Sequence, residues 1–334
     1  MQQWQLSAFG LQNLRFHDVP LPTPGRGQIR VKVHAVSLNY RDLMVVRGQY
    51  DPRMPLPRVP CSDAAGVVAS VGERTTGVRA GARVVIPFMP GWLSGPVSTE
   101  AENTALGGAI DGVLTESIIL PAEAAVEIPD SMSFEQAATL PCAAVTAWNA
   151  VAGASLPEGA TVLTMGTGGV SLFALQFAKA LGLRTLLVTG NPDKLARPGM
   201  PQPDEVYDTR ISPGWDKWVR RLTLDRGADL VVELGGTSSM DRSLKAVRSG
   251  GTVAAIGVLD MSGAFSPLPI IMKSVTVRGI YVGPKAMLAE VVAGMKEHRI
   301  EPVIDRVFEW ADVPGAIKYM ESAAHSGKIV IRVA

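Results

Sequence analysis

The stretch Thr161-Val-Leu-Thr-Met-Gly-Thr-Gly-Gly-Val-Ser171 decides how this chain folds. Apolar and β-branched residues run straight into a glycine cluster, and an apolar-periodic segment, Leu172 to Leu183, follows at once. That order predicts a strand, a tight glycine turn and a helix, the arrangement that binds a dinucleotide. Glycine is needed because the backbone must turn sharply and come close to a pyrophosphate. The N–H groups and dipole at the helix start then hold the negative charge. On this reading Gly166, Thr167, Gly168, Gly169 and Val170 line the cofactor phosphates. Ser171 stands where a third glycine is often found. A glycine turn without a ligand is the alternative that the flanking strand and helix argue against.

From Gly159 onward strand and helix patterns alternate. Short β-rich runs at Thr161–Thr164, Thr185–Thr189, Asp229–Leu234, Thr252–Ile256 and Val275–Val282 predict a doubly wound parallel sheet with right-handed crossovers. Met287 to His298 reads as a helix, and Lys328-Ile-Val-Ile-Arg-Val333 as a strand returning to the first domain. The first ~120 residues are β-rich, with period-two alternation in Ile29-Arg-Val-Lys-Val-His-Ala35 and short strands at Ala65–Val71 and Ala82–Ile86. Pro87 to Gly112 lacks periodicity and is expected to be a long functional loop. Ser133-Phe-Glu-Gln136 carries a capping box that opens a helix. The expected architecture is an α/β Rossmann domain (125–284) inserted into a β-rich domain made from both chain ends (1–124 and 285–334), with the substrate between them.

Apolar residues make up 47% of the chain and charged residues 19%, yet no run approaches the ~18–20 apolar residues of a membrane span. The start, Met-Gln-Gln-Trp, lacks the basic and apolar regions of a secretory signal. A net charge of +1, with acids and bases interspersed, points to no nucleic-acid or membrane partner. Cys61 and Cys142 are the only cysteines, too few for a disulfide framework, so a cytoplasmic location is expected. No Gly-x-Ser-x-Gly motif supports hydrolase chemistry, and His17, His34, His298 and His325 show no metal-ligand spacing.

The second strand of a domain that prefers the unphosphorylated cofactor usually ends in an acid, about 20 residues past the glycine turn. Here the tip reads Val188-Thr-Gly-Asn-Pro-Asp-Lys194, with no carboxylate at Thr189, Gly190 or Asn191. Lys194 one turn on, and Arg210 beyond it, leave room and positive charge for a 2′-phosphate, so NADPH is expected over NADH. Lys194 as a plain solvated residue remains the alternative. Asp193 falls where it can serve the start of the next helix.

These motifs in this order resemble the medium-chain dehydrogenase/reductase superfamily, specifically its zinc-independent quinone oxidoreductase-like branch. The likeness runs through Ser37-Leu-Asn-Tyr-Arg-Asp42 with Arg47-Gly-Gln-Tyr50, Val59-Pro-Cys-Ser-Asp-Ala-Ala-Gly-Val-Val68 and Leu140-Pro-Cys-Ala-Ala-Val-Thr-Ala-Trp148. It continues through Gly166-Thr-Gly-Gly-Val-Ser171, Gly279-Ile-Tyr-Val-Gly283 and Gly327-Lys-Ile-Val-Ile331. The loop Phe88 to Gly112 looks like the subgroup labelled alcohol dehydrogenase-like despite lacking zinc. The resemblance implies that the β-rich domain is GroES-like and that the chain forms a homodimer, with edge strands such as Val275–Val282 pairing.

Where zinc-dependent relatives place their catalytic ligands, this chain has Asn39, Ser62 followed by Asp63, and Cys142, and the four cysteines of a structural zinc lobe are missing. Asn and Ser bind Zn²⁺ poorly, so no zinc is expected. A metal trapped by Cys61, Asp63 and Cys142 is the alternative. Without a Lewis acid, conjugated acceptors are easier to reduce than simple ketones, because the incoming charge spreads onto an oxygen that a hydrogen-bond donor can hold. The resemblance therefore implies hydride transfer from NADPH to a small quinone or α,β-unsaturated carbonyl. Tyr50 matches a tyrosine that enoyl reductases use as acid, although it could equally be a wall of the site. Asn39 could bond the substrate oxygen or the nicotinamide ribose, and Asp63 could organise polar groups beneath the ring. Tyr40 and Asp42 are weaker candidates, the latter as a helix cap. Thr146, Val258, Val282 and Gly283 are expected near the nicotinamide. The alternatives are a zinc-free alcohol or aldehyde dehydrogenase, and a non-catalytic NADPH-binding structural or regulatory protein of the kind that related crystallins illustrate.

Overall fold

Strands that are apolar on both faces can only be stable between layers of helix, and the run Val162-Leu163 with Leu186-Leu187 and Leu230-Val231-Val232 is fully buried. The computed structural model describes residues 1–257, 259–260 and 262–333. The chain divides into two units, residues 1–145 with 282–334 and residues 146–281.

The unit 146–281 holds a six-stranded parallel sheet in the order Glu205–Asp208, Arg184–Thr189, Thr161–Met165, Ala228–Glu233, Val247–Ala255, Thr276–Gly279. This is the doubly wound dinucleotide-binding order, with its switch point beside Thr161–Met165. The helix Gly169–Ala180 turns Leu172, Phe173, Leu175 and Phe177 inward. Each such side chain contributes about 1.5–3 kcal/mol by leaving water. On the opposite edge of the strands, Asp229 ties the sheet together. It accepts the Thr161 N–H at 2.8 Å and both Arg226 and Arg248, which hold its carboxyl below the usual range despite its burial.

The other unit is built on a seven-stranded sheet. Its main path runs Ile304–Glu309, Lys328–Arg332, Gln28–Leu38, Asp63–Val71, Arg83–Ile86, Val126–Glu127, and Ser117–Pro121 pairs with Gln28–Leu38. The late strand returns as expected, antiparallel to the early one, with Ile329 opposite Leu38 and Ile331 opposite Val36. The loop 87–112 is irregular apart from one turn, Thr99–Glu102, capped by Ser98.

Three expectations need correction. Residues 125–145 belong with the β-rich unit, not with the Rossmann unit. The reason is that Phe134, opening the capped helix Phe134–Ala138, stacks on His34 at 4.5 Å, while Arg83 bonds the carbonyls of Pro129 and Met132. The second boundary falls before Val282, a few residues earlier than expected, because Gly283 packs against Val145 and Met287 of the β-rich unit. The last strand of the parallel sheet is Thr276–Gly279, shorter than Val275–Val282, since Ser274 and Val282 have left-handed φ values of 50° and 54°. No helix among the described residues is long and apolar enough to cross a membrane.

Candidate active site

In the Rossmann unit the strand Thr161–Met165 ends at Gly166, whose φ of 73° only glycine adopts readily. Its N–H is anchored on Val188 O at 2.7 Å, and its carbonyl accepts the Ser171 hydroxyl at 2.7 Å. Ser171 is fully buried. The departure from a third glycine therefore has a structural use, since the serine stitches the turn to the first turn of the helix. Gly168 is the N-cap of Gly169–Ala180 and offers no side-chain cap, which leaves the helix start to an external anion. A Cβ built at Gly166 or Gly168 would meet no protein atom within 4 Å. The turn is a cradle with space where side chains would stand, and it fits a pyrophosphate. Thr167 is buried and Val170 half-buried beside it.

At the adenosine end Thr189 is buried, and its hydroxyl accepts the Asn191 N–H at 3.1 Å. Gly190 and Asn191 are exposed, and Lys194 lies in the short 3-10 turn Pro192–Ala196, where the prolines that follow end the helix. Arg210, expected to add a second cation here, is itself paired. Its guanidinium is taken by Asp208, with contacts of 2.7–3.0 Å, and lies 3.5 Å from Asp193. Asp208 stands opposite Thr189 in the sheet, so a carboxylate borders this end after all, supplied by the third strand instead of the second. A second residue that sequence reasoning missed is Glu233. Buried at the end of Ala228–Glu233, it accepts the N–H groups of Gly235 and Gly236 and the hydroxyls of Ser239 and Ser243, fixing the loop at the same edge of the sheet. The strand carries two acids, Asp229 and Glu233, and nothing local in the sequence separates their roles. Thr146 is buried on the helix Val145–Val151. Val258 lies outside the described residues.

In the β-rich unit Asn39 caps the helix Tyr40–Val46, and its own N–H is held by Asp42 Oδ2 at 2.8 Å. Asp42 therefore does serve as a cap. Burial pushes its carboxyl up to about 6, against the opposing pull of Arg41. The Asn39 Oδ1 accepts the ammonium of Lys328, which also donates to Leu38 O at 2.7 Å. Both oxygens of Asp63 are engaged, because Ser62 Oγ donates to one at 2.6 Å and the Cys142 N–H to the other at 3.0 Å. Burial pushes the Cys142 thiol up to about 12 and the Cys61 thiol well above its ordinary range. Arg41 joins this cluster to Tyr50. Its guanidinium lies 4.7 Å from the Tyr50 ring centre and 4.6 Å from that of Phe88, and it donates to Leu106 O at 2.8 Å. The loop closes on the cluster through Gly107 and Gly112, where a Cβ would come within 2.6 and 2.0 Å of the Cys61 backbone. Tyr40 is exposed. Val282 holds a left-handed φ that costs a β-branched residue roughly 1–2 kcal/mol, and at Gly283 a Cβ would press within 2.8 Å of Val145 and Met287. Strain of this kind is characteristic of functional backbone.

The structure thus brings Asn39, Asp63, Asp42 and Lys328 together, with Tyr50 attached through Arg41. It places the glycine turn, Thr189 and Lys194 in the other unit. Among the described residues no group of three or more His, Cys, Asp and Glu side chains is placed to hold a metal ion.

A parallel sheet of this order with a glycine cradle, carried by a chain whose β-rich unit comes from both ends, defines the class as a dinucleotide-dependent oxidoreductase. The zinc-binding dehydrogenase family model matches residues 169–297, and the model of the alcohol dehydrogenase GroES-like domain matches residues 25–130. A zinc-type alcohol dehydrogenase-like protein of Schizosaccharomyces pombe is 37% identical over 98% of this chain and 97% of its own. An acryloyl-coenzyme A reductase of Metallosphaera sedula is 27% identical over 96% of each chain. The solved structure of an NAD-dependent alcohol dehydrogenase matches with a TM-score of 0.90 at 31% identity, covering 100% of both chains. The chain belongs to the medium-chain dehydrogenase/reductase superfamily, and that family implies a nicotinamide cofactor.

Proposed function

We propose that this protein is an NADPH-dependent reductase of small quinones or α,β-unsaturated carbonyl compounds that works without zinc. The observation that carries the reading is the Asn39 carboxamide. Its oxygen is engaged by the buried Lys328 ammonium, and its Nδ2 is buried without a partner among the described residues. A metal would need that oxygen, and it would meet an ammonium already there and an Asp63 whose oxygens are both engaged. The donor set therefore fits a hydrogen-bond donor site better than a metal site. When bound, the cofactor would supply a hydride to the β-carbon of an unsaturated carbonyl compound, or to one carbonyl oxygen of a quinone. The negative charge that develops on the acceptor oxygen is held by the Asn39 Nδ2. The enolate carbon, or the second quinone oxygen, then takes a proton from the Tyr50 hydroxyl or from water, which leaves the neutral reduced product.

The glycine turn and the helix start serve the pyrophosphate, and Lys194 favours a 2′-phosphate, with the nearby Asp208 carboxylate offset by Arg210. Thr146, Val258, Val282 and Gly283 are proposed to contact the nicotinamide. We further take the protein to be a cytoplasmic homodimer without nucleic-acid or membrane partners. The acryloyl-coenzyme A reductase relative lends weight to an activated alkene. The relatives named alcohol dehydrogenase favour a second reading, oxidation of simple alcohols. The deciding experiment follows NADPH and NADH oxidation with quinones, enones and enoyl thioesters, with and without a chelator, and NADP⁺ reduction with alcohols. Chelator-insensitive turnover of conjugated acceptors, faster with NADPH, is expected. Turnover of alcohols alone would replace the first reading with the second, and cofactor binding without any turnover would leave the non-catalytic alternative.

A further inference from the structure

The polar cluster of the β-rich unit contains a lysine whose contacts go beyond packing. Lys328 opens the strand Lys328–Arg332, and the next residue, Ile329, lies opposite Leu38 in the antiparallel ladder. This register carries the Lys328 side chain past the end of Gln28–Leu38 to the helix cap, where it is 3% exposed. No carboxylate among the described residues lies within ion-pair distance of its Nζ. Its hydrogen-bond partners are neutral oxygens, Leu38 O and Asn39 Oδ1, with Asp42 and Asp63 as nearby charges. A buried ammonium compensated in this indirect way is costly to keep, so its contact with Asn39 calls for an explanation.

A carboxamide is nearly symmetric in shape but not in chemistry, with an acceptor at one end and two donors at the other. An ammonium can only donate. It therefore selects the oxygen of Asn39 and turns the Nδ2 away. Asp42 Oδ2 holds the Asn39 backbone N–H, which fixes the main chain at the cap and leaves the orientation of the amide to its contact with Lys328. Asn39 is 9% exposed, and its Nδ2 has no partner among the described residues. A buried donor left unpaired is destabilising. Held rigidly and polarised from behind by a cation, the same donor is what a developing oxyanion needs. A ribose hydroxyl would need no such polarisation.

We propose that Lys328 is a positioning residue that locks the Asn39 carboxamide with its oxygen inward, so that the Nδ2 is held as the donor to the carbonyl oxygen of the hydride acceptor. The assignment of that acceptor rests on the reductase reading above, whereas the orientation of the amide does not. The test uses Lys328→Met and Asn39→Asp in the full chain. The Asn39 side-chain amide resonance is identified as the one missing from the Asn39→Asp spectrum. In Lys328→Met that resonance is expected to move and to exchange faster with water. The kcat with 1,4-naphthoquinone, 2-cyclohexen-1-one or an acryloyl thioester should fall at least about tenfold, with KM for NADPH changed less than about threefold. Asn39→Asp keeps an acceptor for the ammonium but has no donor, so it should fold normally and lose roughly 100-fold in kcat. Should Lys328→Met fail to fold, Lys328→Gln retains donors for both oxygens and should preserve the resonance and most of the kcat. An unmoved resonance and unchanged kcat in Lys328→Met would overturn the proposal, as would loss of the resonance in a folded Lys328→Gln. Weakened NADPH binding at unchanged kcat in Asn39→Asp would assign the amide to the cofactor and overturn it equally. If the wild-type protein turns over no acceptor, the reductase reading falls, and the resonance alone decides whether the lysine sets the amide.

Discussion

Gly168 has backbone angles of φ −79° and ψ 176°, which any L-residue adopts, and a Cβ there would touch nothing. Its lack of a side chain is therefore not demanded by the fold. Gly168→Val is expected to leave the melting temperature within a few degrees and to weaken NADPH binding by about tenfold or more, roughly 1.4 kcal/mol, read by fluorescence titration. Asp42 makes the opposite trade. Its carboxyl sits at about 6 in the folded protein against an ordinary 3.8, because burial outweighs Arg41. The folded state thus holds a proton that the unfolded chain has already released between those values. Stability should fall as pH rises from about 3.8 to about 6 and be level above, by an amount of order 2–3 kcal/mol. Urea midpoints of wild type and Asp42→Asn across this range check the sign. The two proteins should diverge toward pH 7, with the asparagine variant the more stable. A variant that is less stable than wild type at pH 7 would contradict it.

The glycine turn shows how much a single element can announce. Residues 161–180 read correctly as strand, turn and helix because the apolar period changes at the glycines, and the parallel order followed from the repeats. Ser171 reads as a defect in the motif, yet its hydroxyl closes the turn onto Gly166 O. Ser171→Ala should cost about 1 kcal/mol in urea unfolding and loosen NADPH binding several-fold, since the cradle loses an anchor. Asp208, Glu233 and Lys328 were not legible in the same way. Each acts through sheet register or loop closure, which places it beside residues distant in sequence, and no local period records that. The motif Gly327-Lys-Ile-Val-Ile331 was visible as a family likeness, but the use of its lysine was not. The pairing of Arg210 went unread for a related reason, since its partner Asp208 lies two residues away on a strand whose pairing sets the geometry. The first domain boundary also went unread, because the contacts of Phe134 and Arg83 that draw residues 125–145 into the β-rich unit are tertiary.

At the scale of the whole molecule, the strand Thr276–Gly279 is the last strand of the parallel sheet among the described residues, with Val277 exposed on it and Leu268, Ile271 and Met272 exposed on the short helix Leu268–Met272 of the same unit. An apolar edge of that kind invites pairing with a second copy. Sedimentation is expected to give a dimer that Val277→Pro, which introduces a residue unable to donate at that position, shifts toward monomer. A monomeric wild type would refute the edge-pairing proposal. The two units also differ in how far apart their essential partners lie along the chain. The glycine cradle leans on Val188, on the next strand of its own unit, whereas Asn39 and Lys328 are 289 positions apart. During synthesis the parallel sheet that carries the cradle can close once Thr276–Gly279 has emerged from the ribosome. The Asn39 amide waits for Lys328 near the chain's end, so on a nascent polypeptide the glycine turn is set before the polar cluster is.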